Sequence, residues 1–198
     1  MPFQEIRWAG AERNLWEEGP PCAQPAPMPS AAMPKHRLLF VCLGNICRSP
    51  MAEGVFRRVA EDEGAIHRFE IDSAGLGDWH AGQAPDTRAQ DAAKTRGVDI
   101  SGQCARQVRA EDFDRFDLLL AMDRSNHADL LMLAPEAARH KVRFFLDFAP
   151  HMGAKEVPDP FFGGKEGFDH ALDLIEAAAR GLLAEMLTAE PRSAKHGA

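Results

Sequence analysis

The densest chemistry in the chain lies in ten residues, Val41-Cys42-Leu43-Gly44-Asn45-Ile46-Cys47-Arg48-Ser49-Pro50. A cysteine closes an apolar run, five residues follow, and Arg-Ser-Pro opens a stretch with helical spacing. A short turn that enters a helix directs successive backbone N–H groups into one concavity, an anion nest. The helix dipole adds positive potential at that point. Arg48 offers two parallel N–H donors to two oxygens of a tetrahedral oxyanion. The same field favours a thiolate, so Cys42 reads as a nucleophile at the floor of a phosphate cradle. Leu43, Gly44, Asn45, Ile46, Cys47 and Ser49 form the walls, and Gly44 lets the backbone approach closely. The plainer reading makes Cys42 a core cysteine and Arg48 a surface helix residue. The preceding strand, the Gly-Asn pair and the proline at the helix start together argue against it. Cys42 and Cys47, with no second Cys or His pair nearby, do not make a zinc site, and the eight scattered histidines add none, so no metal or cofactor is assigned.

The surrounding elements must position this turn. Residues 37–42 form a short apolar run, read as a buried strand. Ser49 is the N-cap candidate of the next helix and Pro50 its first residue. Met51, Val55, Phe56 and Val59 recur at helical spacing before Gly64 stops the run. Residues 69–73 alternate like a strand, and 87–96 read as a helix closed by Gly97. Residues 116–122 read as a strand, 124–132 as a helix and 142–146 as a fourth strand. A Pro/Gly-rich loop runs to Gly164, and Phe168, Leu172, Ile175, Ala179, Leu182 and Met186 mark one face of a closing helix. Strands alternating with helices imply an α/β fold with a parallel sheet covered on both faces.

Composition bounds the rest. The chain has 198 residues, enough for one domain plus extra, and a net charge of −7. No basic excess is present to neutralise phosphates, so nucleic acid and anionic membranes are not expected partners. There is no transmembrane-length apolar stretch and no signal-peptide pattern. Four cysteines do not make a disulfide scaffold in a chain this long, which suggests a cytoplasmic setting. Seven of the 14 prolines lie in residues 1–34, which read as a Pro-rich, flexible extension dispensable for catalysis. Trp8 and Trp16 leave open a short docked helix there. Residues 35–190 read as the catalytic domain and 191–198 as a tail.

The segment around Cys42 resembles the phosphate-binding loop of the low-molecular-weight protein tyrosine phosphatases. The resemblance extends from about Lys35 to the final helix. It includes Ile71-Asp-Ser-Ala-Gly75, Asp78-Trp79, Pro85-Asp86, Arg88-Ala89, Ala105-Arg-Gln-Val108, Asp117 to Met122-Asp123, Ser125-Asn126 and Val157-Pro-Asp159-Pro-Phe161. It implies a single three-layer α/β domain whose four-stranded parallel sheet has the order 2-1-3-4. The phosphate loop follows the first strand. The implied activity is metal-independent hydrolysis of phosphotyrosine or aryl phosphates through a cysteinyl-phosphate, by a monomer or weakly self-associating protein.

By the same resemblance, Cys42 is the nucleophile and Arg48 clamps the phosphoryl oxygens. Asp159 protonates the leaving phenolate and later activates water. Ser49 hydrogen-bonds the sulfur, Asn45 and Ser73 hold the loop, and Trp79 and Phe161 wall the slot for a phenyl ring. From the residues alone, Asp159 reads first as a turn-forming Asp before Pro, and only the resemblance reverses that. Cys47, five residues from Cys42 on one curled turn, is expected as a redox partner that forms a disulfide with it; packing as a small hydrophobe is the alternative. Three departures stand out. The two tyrosines that often follow the Asp-Pro are Phe161 and Phe162, and the chain has no Tyr at all. Gln103 takes the place of a histidine common in animal members and is expected to support the loop by bonding Asn45. Relatives that prefer phosphoarginine carry a small Thr where this chain has Ile46, which favours an aryl phosphate. Two other functions compete with this one. A thioredoxin-linked arsenate reductase needs two further neighbouring cysteines, and only Cys104 and the distant Cys22 remain. Against a non-catalytic phosphate-binding module stands the joint presence of Cys42, Arg48 and Asp159.

Overall fold

In the computed structural model, residues 36–188 are described. The expectations for the N-terminal extension, including Trp8, Trp16 and Cys22, and for the C-terminal tail lie outside the described residues. Four strands, β1 (His36–Cys42), β2 (Phe69–Gly75), β3 (Leu118–Ala121) and β4 (Val142–Phe144), make one sheet in the order β2-β1-β3-β4. Every neighbouring pair is parallel, as the alternation of strands and helices predicts.

The period of two along β1 divides the core. Leu38, Phe40 and Cys42 face one side of the sheet, where helices α1 (Arg48–Asp62) and α5 (Lys165–Thr188) pack together with α2 (Thr87–Thr95). Leu39 and Val41 face the other side, against Phe113 of α3 (Asp112–Arg115), Leu130 of α4 (Arg124–Leu133), and Phe116. Phe40 is fully buried between Phe56 and Phe145, the second ring edge-on at 5.0 Å. Burying a side chain of that size contributes about 1.5–3 kcal/mol. The result is a three-layer domain in which Cys42 is the last residue of a central strand and shares a face with the helix that follows it.

Two local expectations are corrected and one short element is added. Ser49 is not an N-cap: α1 begins at Arg48, Cys47 occupies the cap position without a side-chain cap bond, and the Ser49 hydroxyl turns inward. The fourth strand ends at Phe144, because Phe145 and Leu146 turn into a 3-10 helix that lays their side chains in the core. The short α3 was not foreseen, having too few residues for a periodic signal.

Candidate active site

The loop between β1 and α1 is held from outside by its carbonyls. Those of Cys42, Leu43 and Ile46 accept N–H bonds from Leu76, Gly77 and Asp86. A trans peptide places its N–H opposite its C=O, so the amides of Leu43, Gly44 and Cys47 face the other way, into the concavity. The amide of Asn45 donates directly to Cys42 Sγ at 3.3 Å. Asn45 achieves this with a left-handed backbone, φ 55°, and among the described residues it alone does so without being glycine. Asn tolerates that region better than most residues. Gly44 serves differently: a side chain there would press on the His80 ring, 3.1 Å from the Cβ position. Gly75 is the partner that the sequence reading missed. A Cβ on it would stand 3.0 Å from both Asn45 N and the Gly44 carbonyl carbon, so the loop rests on bare backbone.

A buried polar network holds this shape. Ser49 Oγ lies 3.1 Å from Cys42 Sγ. The Asn45 side-chain amide donates to Ser49 Oγ and to Ser73 Oγ, both at 2.9 Å, while its oxygen accepts the Arg106 N–H at 2.9 Å. Ser73 in turn donates to Glu53 at 2.7 Å. Burial pushes the Glu53 carboxyl above its ordinary range, against the opposing pull of Arg57 and the Ser73 hydroxyl. Both Asn45 amide hydrogens and its oxygen are thus committed, and none goes to Gln103. Gln103 instead lines a separate hollow of about 250 Å³ with Glu53, Arg57 and Arg58, and among the described residues its buried Oε1 has no partner. The expected Gln103–Asn45 bond is therefore not made.

Arg48 is buried at the rim of the concavity. One terminal nitrogen donates to Asp123 and to the Val157 carbonyl, the other to Asp159 Oδ2 at 2.7 Å. Burial alone would lower the guanidinium's pKa, but the charges of Cys42, Asp159 and Asp123 outweigh it, so the group is held above its ordinary value and stays cationic. Asp159 also accepts the Phe161 N–H at 3.1 Å, which fixes the Asp-Pro loop over the cradle. Asp123 carried no role in the sequence reading. Its position as N-cap of α4, accepting the Asn126 amide, explains how a strand-end carboxylate comes to face Arg48.

Above the cradle lies a slot of about 180 Å³, lined by Cys42, Ile46, Trp79, His80, Asp159 and Phe161 among others. Trp79 is 64% exposed and Phe162 96% exposed. Trp79 lies across Gly77, whose missing side chain makes room for its ring. Phe161 is backed by the Arg88 guanidinium, 5.3 Å from the ring centre, and Arg88 also donates to the Phe161 carbonyl. Cys47 is buried beside the loop. Burial first, then the charges of Asp86, Cys42 and Asp159, push its thiol up to about 12. No cluster of ligands able to hold a metal occurs among the described residues. Cys42, Arg48, Asp159, Ser49, Asn45, Ser73, Trp79 and Phe161 thus converge on one place, and Gln103 stands apart from them.

Comparisons with known proteins agree with this geometry. The family described as low molecular weight phosphotyrosine protein phosphatase matches residues 37–192. A low molecular weight protein-tyrosine-phosphatase of Streptomyces coelicolor is 45% identical over 152 residues, covering 75% of this chain and 92% of that protein. A crystal structure of a protein tyrosine phosphatase from Entamoeba histolytica, with Hepes in its active site, superposes with a TM-score of 0.75. It is 39% identical and covers 77% of this chain and 97% of that one. An arginine phosphatase of Drosophila superposes nearly as well, with a TM-score of 0.72 at 30% identity, over 77% of this chain and 99% of that one.

Proposed function

Since the chain belongs to the low molecular weight phosphotyrosine protein phosphatase family, we propose that it hydrolyses phosphotyrosine, in proteins or as small aryl phosphates, through a cysteinyl-phosphate and without a metal. The observation that carries this reading is the placement of Cys42 Sγ at the floor of the amide nest. Ser49 and the Asn45 amide touch the sulfur, and Arg48 and Asp159 stand at the mouth.

The sequence of events follows from these positions. The phosphoryl group enters the nest, and its oxygens take the loop amides and the Arg48 N–H groups. The oxygen that meets Arg48 competes with Asp159 for the guanidinium, while Asp123 and the Val157 carbonyl keep Arg48 in place. The Cys42 thiolate attacks phosphorus in line with the leaving oxygen. The S–P bond forms, the P–O bond to the ring breaks, and Asp159 gives its proton to the departing phenolate. Water then attacks the cysteinyl-phosphate and passes its proton to Asp159. The S–P bond breaks, phosphate leaves, and the Ser49 hydroxyl is in reach to stabilise the returning thiolate. The amides and Arg48 provide the charge stabilisation that a metal supplies in other phosphatases.

Substrate choice follows from the slot. The arginine phosphatase has a similar fold, so the fold does not select the group that carries the phosphoryl. Ile46 lines the slot and packs on the core, filling space that a guanidinium would need. The test is turnover of phosphotyrosine and p-nitrophenyl phosphate in the presence of a chelator, with acid quench and mass analysis of the Cys42 peptide. Full activity with chelator and a phosphate adduct on Cys42 are expected. Loss of activity on chelation, or an adduct elsewhere, overturns the reading.

A further inference from the structure

Arg106 belongs to the segment Ala105-Arg-Gln-Val108, which the chemistry above leaves without a role. Its backbone grips the loop region twice. The Arg106 carbonyl accepts the Gly75 N–H at 2.8 Å, and Gly75 is the residue on which the loop backbone rests. The Arg106 N–H donates to the Asn45 side-chain oxygen. That second bond sets a direction. A carboxamide presents oxygen on one side and NH₂ on the other. With its oxygen facing the Arg106 N–H, the Asn45 NH₂ must point at Ser49 and Ser73, and both serine oxygens act as acceptors. Their own hydrogens are then free to donate onward, from Ser49 to Cys42 Sγ or the Ala74 carbonyl, and from Ser73 to Glu53. Were the amide reversed, its oxygen would draw the Ser49 hydrogen away from the sulfur.

The side chain of Arg106 holds that N–H in place. Its guanidinium bridges Asp72 and Asp112, with four donor–acceptor distances between 2.9 and 3.2 Å. Each carboxylate is tied in turn to backbone, Asp72 to the Ser73 N–H and Asp112 to the Arg109 N–H, both at 2.8 Å. Asp72 adjoins Ser73 on β2, and Asp112 begins α3, so the ion cluster pins the strap of residues 105–108 between two elements. A bidentate, half-buried arginine of this kind fixes geometry better than an exposed pair.

We propose that Arg106 is a positioning residue for the nucleophile: clamped by Asp72 and Asp112, it orients the Asn45 amide so that the chain of donors ends on Cys42. The proposal rests on Cys42 being the reactive sulfur, and its test also reads that sulfur without substrate.

Arg106→Gln should lower kcat roughly tenfold, the scale of one misdirected hydrogen bond to a charged group, with KM moved less than threefold. The rate at which iodoacetamide alkylates Cys42 at pH 7, followed by mass analysis of its peptide, should fall in parallel. Arg106→Lys, which keeps the charge but not the fork, should recover part of both. In an Asn45→Ala background the further loss caused by Arg106→Gln should be under twofold, because the amide it orients is gone. Should Arg106→Gln not fold, Asp112→Asn weakens the same clamp and should show the same losses in smaller measure. Alkylation at the wild-type rate in the folded variant, or an equal loss in both backgrounds, overturns the proposal. Absence of turnover in the wild type would overturn the phosphatase reading instead, while the alkylation rates still decide the part played by Arg106.

Discussion

In the cradle, Asn45, Ser49 and Ser73 spend nearly every side-chain polar atom on one another, on Cys42 or on Glu53 and Arg106. At the rim, Trp79 and Phe162 stand largely in solvent, and Phe161 is steadied by a single guanidinium and its own loop. The first region is built to have one shape before substrate arrives, so little reorganisation is left for the moment of phosphoryl transfer. The second meets a part of the substrate that varies, and flat aromatic surface contacts many partners without demanding one geometry. Asp159 belongs to both regions, since its carboxylate is bonded to Arg48 below and to the Phe161 amide above.

This contrast predicts where substitutions fall on kcat and where on KM. Cys42→Ser removes the sulfur at the floor of the nest and puts there a hydroxyl that the field does not ionise. Turnover should fall by at least ~10⁴-fold, while arsenate or vanadate still binds, because the amides and Arg48 remain. Substantial residual hydrolysis would break the assignment of the nucleophile. Asp159→Ala should cost ~10²–10⁴-fold with phenyl phosphate and distinctly less with p-nitrophenyl phosphate, whose leaving group needs a proton less. Single-turnover measurements check this, and equal losses on the phosphoryl-transfer step for the two esters would deny Asp159 its proton. Trp79→Ala belongs to the rim. It should raise KM for aryl phosphates about tenfold and leave kcat within a few-fold, the scale of one lost aromatic contact. A fall in kcat matching that of Asp159→Ala would mean that rim and cradle are one mechanical unit.

Legibility in the sequence follows the same division. The cradle is readable because its chemistry is local: strand, turn, arginine and helix start lie within ten residues, and the strand that carries them shows as a continuous apolar run, which the structure buries on both faces. The parallel four-stranded sheet and its 2-1-3-4 order also match expectation, the order coming from the family resemblance rather than from periodicity. What went unread is long-range. Asp123, Glu53, Gly75 and Arg106 have ordinary residue types at ordinary positions, and only folding brings them to the loop. Gly75 stands in the sequence as a glycine ending a strand, but nothing local says which backbone it must admit. Gln103 as a loop support comes from the family resemblance alone. The Asn45 amide has no hydrogen left for it, and among the described residues the Gln103 side-chain oxygen is buried without a hydrogen-bond partner. Ser49 misleads in the opposite way: Ser before Pro is a good cap signal, yet α1 already begins at Arg48, so Ser49 lies inside the helix and its hydroxyl meets the sulfur.

The smallest expected effect concerns Cys47, whose backbone belongs to the cradle and whose side chain belongs to the core. Peroxide should oxidise the Cys42 thiolate to a sulfenic acid with release of hydroxide, and the thiolate of a second cysteine can displace hydroxide from that acid to form a disulfide. Cys47 can do so only as a thiolate, and its thiol sits at about 12. Below that value the thiolate fraction rises about tenfold per pH unit, so capture of the sulfenic acid should be slow at pH 6 and faster at pH 8.5. One of the causes that raise the Cys47 thiol, the charge of Cys42, disappears once Cys42 is oxidised, which helps capture follow oxidation. After matched inactivation by peroxide and then dithiothreitol, each protein is scored against its own starting activity. Wild type should recover two- to threefold more than Cys47→Ser at pH 8.5, and the gap should close towards pH 6. Equal recovery at every pH would leave Cys47 as core packing. A gap that widens as pH falls would mean that the sulfur is not held in its protonated form by burial and the surrounding carboxylates.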